Sequence, residues 1–397
     1  MFSRSEKILL AILSCIQFSH IVDFMIVMPL GPKLMRMFSI SPHEFGLLVS
    51  CYTLSAGISG FLASFWMDRF DRKQILMFFY LGFGIGTVAC GMVNTYNSLL
   101  ITRSITGAFG GVLGSLILSI IGDTISMDRR GTAIGITTAA FSVASVFGVP
   151  FSLYLADQLG WQGPFMFLGV VSILVWSGIF FVMKPMKAHL ALRVKESNPF
   201  HSLQHILETP NLLFALGFMC FLILGHFTVI PFLSPSLVAN TGLAEDQLKY
   251  IYLVGGIISI FSSPMAGRLS DKMGRKNLFL ISALVSMIPV LIITHLGPNP
   301  VMVTLAYVAF FFLCMSGRMV PAMAAISSAP IPKYRGSFMS IASSVQQLSA
   351  AAASYLAGLI VTQDSRGHLL NYGYAGYFAV ACTLVAIYFS RKVKETS

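Results

Sequence analysis

The sequence predicts an all-α membrane protein with twelve transmembrane helices, on the basis of its composition, its apolar runs and the distribution of its basic residues. Of the 397 residues, 56% are apolar and only 10% are charged, and the mean hydropathy is +0.79. Soluble domains carry about 25% charged residues, so this chain lacks the polar surface that a soluble globule of its size needs. The composition therefore excludes a soluble enzyme, a secreted disulfide scaffold and a disordered chain.

Twelve apolar segments lie between connections rich in Gly, Pro, Asn and charged residues. Each has roughly 20 residues or more, enough to cross a hydrocarbon core about 30 Å thick. Backbone exposed to lipid must satisfy its own hydrogen bonds, and the runs are too long for barrel strands, so we expect every segment to be helical. The segments begin near Lys7, Glu44, Gln74, Ser98, Gly131, Gly163, Asn211, Gln247, Asn277, Pro300, Phe338 and Tyr372.

The basic residues are distributed unevenly between the two sides of the predicted bundle. With the N-terminus in the cytoplasm, 20 of the 26 Lys and Arg lie on cytoplasmic segments, 4 lie outside, and Arg103 and Arg318 lie within helices. Because an excess of basic residues marks the cytoplasmic face, both termini are expected there and the number of spans is even. The formal net charge of +11 is explained by these basic residues at the cytoplasmic face of the lipid bilayer, so no nucleic-acid partner is expected.

The chain divides into two similar halves. Asp68 and Asp271, after the second and eighth spans, are 203 residues apart, and Arg130 and Arg335, after the fourth and tenth, are 205 apart. Because the two offsets are nearly equal, they indicate a duplication. The two repeats are expected to be related by an axis along the membrane normal. We expect a six-helix bundle over 1–184, a cytoplasmic linker over 185–210 and a second six-helix bundle over 211–397.

The connection after the eighth span carries a family motif. Residues 267–276, GRLSDKMGRK, resemble the signature loop G-x-x-x-D-R/K-x-G-R-R/K of the major facilitator superfamily. The first-half copy keeps the charged residues, but Ser64 and Asp71 replace its two glycines. Three further segments are similar to motifs of the 12-helix drug/proton antiporter branch: Arg103 to Gly107, Gly148 to Pro150 and Trp161 to Phe165.

The resemblance implies a rocker-switch carrier with a central cavity that opens alternately to each side of the membrane. It further implies a multi-pass protein of the cell membrane, with the bacterial inner membrane expected, that acts as a monomer.

The charged loops are candidates for a cytoplasmic gate. A carboxylate at a helix end, near several Arg and a neighbouring helix N-terminus, can form charge-assisted bonds that must break when the halves move. Such a latch would favour the outward-facing state; the alternative is that these charges only anchor the inner face. The candidate gate residues are Asp68, Arg69, Arg72, Asp123, Asp271, Lys272 and Arg275.

Ionisable residues inside the spans are candidates for proton coupling, because a charge in hydrocarbon costs roughly 2.5–3.5 kcal/mol and therefore faces a cavity or a partner. Asp23 lies about 24 Å along the first helix, at a depth similar to that of Arg103. In the superfamily both helices line the cavity, so the resemblance implies an Asp23–Arg103 pair. Asp23 could bind and release the coupling proton, with His20 as a relay. The alternatives are a permanent structural pair and a His20 bonded to a carbonyl group or to water.

A second group of residues is predicted to line the substrate cavity. Arg318 is deeply placed and needs an anionic partner, either a group on the substrate or a distant carboxylate. His226, Gln346, Gln347 and Tyr355 are polar enough to touch the substrate, although polar residues between packed helices are commoner.

The sequence contains no Walker motif, no nucleophile–base constellation and no metal box, so no enzyme activity, no cofactor and no metal site are expected. Its six cysteines lie in apolar runs and are interpreted as small buried hydrophobic residues. We predict a secondary active transporter, namely a proton-coupled antiporter that exports a small amphipathic or hydrophobic molecule. The alternatives are a proton-coupled transporter of an anionic metabolite and a divalent-metal exporter that uses His20, Asp23 and His226.

Overall fold

A computed structural model of the chain describes residues 2–187, 199–331 and 334–394. It describes the backbone, but not the side chains, at Asp68 and at residues 199–202. The predicted linker 185–210 thus lies partly outside the described residues. Helices make up most of the described part, which also contains one short hairpin, as expected for an all-α membrane protein.

The helices of the first part of the chain are α1 (Arg4–Ile26), α2 (Gly31–Phe38), α3 (Pro42–Ala63), α4 (Arg72–Met92), α5 (Tyr96–Gly110), α6 (Leu113–Thr124), α7 (Met127–Val143), α8 (Val149–Leu159) and α9 (Gly163–Val182). The later helices are α10 (Pro199–Glu208), α11 (Pro210–Phe227), α12 (Ile230–Thr241), α13 (Leu248–Met273), α14 (Arg275–Thr294), α15 (Val301–Ser327), α16 (Arg335–Ile360) and α17 (Tyr372–Lys392). Single turns of 3-10 helix lie at Met67–Arg69 and Glu245–Gln247.

Local sequence determines where the helices begin and where they are interrupted. Ser3 and Thr95 form capping boxes at the starts of α1 and α5, which satisfy backbone N–H groups that a helix start leaves free. Between α7 and α8, a π-helical turn covers Ala144–Gly148 just before Pro150, as expected where proline removes a backbone donor. Three of the predicted spans are each built from two consecutive helices. These spans are Tyr96–Thr124, Met127–Leu159 and Pro210–Thr241.

Within the described residues, 11 helical stretches are long and apolar enough to cross a membrane. Each begins within about four residues of a predicted segment start, which confirms those segments. The remaining predicted segment is the 26-residue helix α16, which is long enough but is not among the stretches apolar enough to cross a membrane. Its role as a twelfth span stays a prediction.

The chain forms two compact units. The first contains the described residues within Met1–Val27 and Cys51–Ser197, and the second those within Met28–Ser50 and Asn198–Ser397. Helix α3 thus contributes its start to the second unit and the rest to the first. The predicted boundaries at 184/185 and 210/211 stay a prediction.

The first unit packs α4 between α5 and α9, and α1 against α7. Its core is aliphatic and aromatic, with Leu13, Leu76, Phe83, Leu116 and Ile120 all completely buried. Asp23 and Arg103 are buried in the same unit as this apolar core.

The second unit packs α11 against α16 and α17, and α15 against α13 and α14. Residues 28–50 join it through α2, which lies against α12, and through Phe45, whose ring meets that of Phe232 edge to face at 5.6 Å. Arg36 forms an ion pair of 2.6 Å with Glu245 in the same unit.

Two features differ from the sequence analysis. A two-stranded antiparallel hairpin, β1 (Thr362–Gln363) and β2 (Leu369–Leu370), joins α16 to α17, where no strand was expected. It is too short for the alternating pattern that reveals strands in a sequence.

Cys15 is exposed, and Cys51 and Cys220 are only half-buried, so the interpretation of all six cysteines as buried was wrong for these three.

Candidate functional site

A buried ion pair lies in the interior of the first unit. Arg103 Nη1 on α5 donates to Asp23 Oδ2 on α1 at 2.7 Å, and the two residues are 1% and 0% exposed. Thr87 on α4 donates a second hydrogen bond to Asp23 Oδ1 at 3.3 Å. The structure therefore brings together the two charged residues that were predicted to pair.

Glycines allow α5 to approach the second half of α3. A Cβ atom at Gly107 or Gly111 would collide with the backbone of Tyr52 or Ala56. The close approach places the Tyr52 ring over the guanidinium of Arg103, with 4.2 Å between the ring centroid and Cζ. A cation over an aromatic face is stabilised by the ring quadrupole, so Tyr52 helps to hold Arg103 in place.

Protonation of Asp23 would change the charge balance of this buried site. Both charges are removed from solvent, and each compensates the desolvation cost of the other. If Asp23 binds a proton, the compensation is lost and Arg103 is left as an uncompensated buried cation. An ionised and a protonated Asp23 would therefore favour different surroundings for Arg103.

A row of polar side chains runs along α1 toward Asp23. Ser14, Gln17 and His20 precede it at intervals of three residues, which form one slanted row on a helix surface. Ser14 Oγ, Gln17 Oε1 and both ring nitrogens of His20 are buried and have no hydrogen-bond partner among the described residues. His20 was predicted; Ser14 and Gln17 were not, although polar residues at this spacing in an apolar helix were a usable signal.

In the second unit, Arg318 on α15 is 1% exposed. Its Nη1 donates to Thr383 Oγ1 at 3.2 Å and to Ser286 Oγ at 3.4 Å. Its Nε and Nη2 are buried without a partner in the described part of the chain. His226 on α11 lies within electrostatic reach of Arg318.

The other predicted substrate residues lie on α16. Gln346 and Gln347 are half-buried. Tyr355 lies against His43, with the ring centroids 5.5 Å apart. The contact of these three residues with a substrate stays a prediction.

A cavity of about 820 Å³ lies in the second unit between α2, α12 and the β1–β2 hairpin. Arg36, His43 and Glu245 line it. None of the five predicted substrate residues is among its lining residues, so it lends them no support.

The cytoplasmic loop of the first unit is tied together by charges. Arg72 Nε donates to Asp123 Oδ2 at 2.9 Å, which joins α4 to α6. Asp71 caps α4 by accepting from the backbone N–H of Lys73, and it also accepts from that of Met186. Arg69 is exposed, and the side chain of Asp68 lies outside the described residues. Two of the predicted gate residues, Arg72 and Asp123, therefore bond to each other within one unit.

The corresponding loop of the second unit is more open. Asp271 and Lys272 are exposed and Arg275 is half-buried. The gate role of both loops stays a prediction.

No group of three or more His, Cys, Asp or Glu side chains suited to a metal ion occurs in the described part of the chain. The alternative of a metal exporter therefore gains no support from His20, Asp23 and His226.

Comparison with known proteins identifies the family. The family model described as Major Facilitator Superfamily matches residues 13–236 and 219–397. The chain belongs to the Major Facilitator Superfamily. Members of this family are transporters, so the protein is a multi-pass membrane transporter and not an enzyme.

Similar proteins and structures support the assignment. The chain is 25% identical over 339 residues to the MFS-type transporter YceJ of Bacillus subtilis (strain 168), with 85% of each chain covered. It is 21% identical to a protein of Helicobacter pylori (strain ATCC 700392 / 26695) named "Probable sugar efflux transporter", over 91% of this chain and 90% of that one.

Two solved structures share the fold. A bacterial homologue of the human lysosomal transporter Spinster has a TM-score of 0.77 at 17% identity, covering 99% of this chain and 98% of that one. A D-xylose-proton symporter has a TM-score of 0.77 at 18% identity, covering 98% of each chain.

Proposed function

We propose that this transporter is a proton-coupled antiporter that exports a small amphipathic or hydrophobic molecule by rocker-switch alternating access. In this proposal it acts as a monomer in the cell membrane, with α16 as a twelfth span and both termini in the cytoplasm. The asymmetry of Lys and Arg supports the orientation.

The observation that carries the proposal is the buried Asp23–Arg103 pair. A carboxylate that is fully buried, is paired with an arginine and lies on the first helix is suited to bind a proton in one state and release it in another. Entry of one proton supplies roughly 2.3 kcal/mol per 100 mV of membrane potential and about 1.4 kcal/mol per unit of pH gradient. These energies are sufficient to drive export against a concentration gradient of one to two orders of magnitude.

The row Ser14–Gln17–His20 supports a route for that proton. Buried polar atoms need hydrogen-bond partners, and water can supply them where the protein does not. Successive members are rotated by about 60° around the helix axis, so the row winds around α1 and ends with His20 beside the face that carries Asp23. His20, three residues before Asp23, is the titratable member of the row.

Two observations bear on direction and substrate. The Helicobacter pylori relative is named for sugar efflux, which supports export and makes a sugar the second candidate substrate class. The D-xylose-proton symporter, at 18% identity, supports the fold, and by its name it is a symporter and not an antiporter.

The test is flux in proteoliposomes under an imposed pH gradient, with a panel of amphipathic cations, sugars and carboxylates. We expect at least one compound to be driven by the gradient in the wild type. Asp23→Asn should reduce this flux to the level of protein-free vesicles, because an amide cannot carry the proton. Exchange of labelled for unlabelled substrate without a pH gradient should persist.

The matched control is Asp246→Asn, which makes the same chemical change at an exposed residue in the described part of the second unit. It should transport as the wild type does. Gradient-driven flux that is unchanged in Asp23→Asn would remove this residue from the coupling role.

A further inference from the structure

Arg318 is a buried cation in the second unit. Nε and Nη2, the two nitrogens on one edge of its guanidinium, have no partner among the described residues, while Nη1 is held by the hydroxyls of Ser286 and Thr383. A buried charge that lacks a counter-charge is costly, so such a group faces a partner supplied from elsewhere by default.

The first unit shows what this arrangement lacks. There the buried arginine, Arg103, has the carboxylate of Asp23 as its partner. His226 lies 203 residues after Asp23, which is the same offset that separates Asp68 from Asp271. Where the first half has an acid, the second half therefore has an imidazole, which cannot neutralise a guanidinium.

The free edge has the shape that a carboxylate requires. The N–H groups of Nε and Nη2 point in parallel and match the two oxygens of a carboxylate in a bidentate pair. Lysine presents a point charge without this fork. His226 Nδ1, also buried and unpartnered in the described part of the unit, is a further polar atom in the same region.

The helix that carries Arg318 is weakened beside it. Pro321 lies inside α15 and cannot donate a hydrogen bond to the carbonyl of Gly317. Gly317 has no side chain, and a Cβ there would meet only Ser282 at 3.7 Å or more. The hydrogen-bond ladder of α15 is therefore interrupted beside Arg318, and Gly317 leaves space on the neighbouring turn.

We propose that Arg318 is a binding site for the carboxylate of a small organic anion, with Nε and Nη2 as bidentate donors. The proposal rests on the proposed carrier function in one respect: the buried Arg318 can meet a ligand because a carrier opens its interior to one side of the membrane. It assigns to the transported molecule, or to a co-transported one, an acidic group that the second unit neutralises.

The test uses the full-length purified protein in detergent, with benzoate as the probe and its neutral analogue benzamide as the control ligand. Benzoate should raise the unfolding temperature in a saturable manner, and benzamide should not. Arg318→Lys, which keeps the charge and loses the fork, should weaken benzoate binding by about tenfold or more. Arg318→Gln should abolish it, and Arg366→Gln, at an exposed arginine of the hairpin, should leave it unchanged.

Equal stabilisation by benzoate and benzamide would overturn the proposal, and so would chloride that stabilises as strongly as benzoate. These comparisons use the wild type, so they remain decisive if a variant fails to fold. Binding is measured without a pH gradient. A failure here therefore leaves the coupling role of Asp23 standing, and loss of gradient-driven flux in Asp23→Asn leaves benzoate binding unaffected.

Discussion

Replacement of Arg103 by methionine is expected to destabilise the protein by roughly 3–5 kcal/mol, the usual cost of removing one partner from a buried ion pair. Asp23 is 0% exposed, and among the described residues only Thr87 would still donate a hydrogen bond to it. The carboxylate would therefore be left in the interior without a counter-charge. The loss of stability can be measured by SDS titration in mixed micelles, with helical circular dichroism as the signal.

The double variant Asp23→Asn/Arg103→Gln separates the structural from the functional role of the pair. With both charges removed, most of the lost stability should return, because neutral side chains are cheaper to bury. Gradient-driven flux should not return, because no group is left to carry the proton. An Arg103→Met protein as stable as the wild type would show that Asp23 does not depend on this guanidinium.

Gly107→Ala should have the second largest effect, a loss of about 3 kcal/mol, which is the upper end of the range for overpacking. The added Cβ would collide with the backbone carbonyl of Tyr52 on α3, and backbone cannot move aside as a side chain can. The collision would push α5 away from α3 and would lift Tyr52 from the face of Arg103. Thermal unfolding and gradient-driven flux should therefore both decline.

Gly114→Ala is the matched control in the same predicted span. A Cβ at Gly114 would meet nothing within 4 Å, and alanine is favoured over glycine in a helix by up to about 1 kcal/mol. This variant should be as stable as the wild type or slightly more so. Equal losses at positions 107 and 114 would show that close packing of α5 on α3 does not matter.

The spans could be predicted because hydropathy and length are local properties of the sequence. The interruptions within spans were harder to predict. The break between α5 and α6 follows Gly110 and Gly111, whose packing against α3 is a long-range contact. The association of residues 28–50 with the second unit is likewise long-range, since it depends on contacts such as Arg36 with Glu245.

The candidate site was predictable where charge marked it. An aspartate and an arginine at similar depth in apolar helices stand out, and Asp23 and Arg103 do lie together. Thr87 and Tyr52 were missed because neutral polar side chains are common in such helices. Arg72 and Asp123 were both named, but their pairing could not be deduced, since several charges near the same membrane face were possible partners.

The central claim is that Asp23 gains and loses a proton within the membrane. The most direct measurement is the infrared difference spectrum of the protein in lipid between low and high pH, because a protonated carboxyl has a carbonyl stretching band that a carboxylate lacks. We predict a band from a buried carboxyl in the wild type that is absent from Asp23→Asn and present in Asp246→Asn. A wild-type spectrum without such a band, or the same band in Asp23→Asn, would contradict the account.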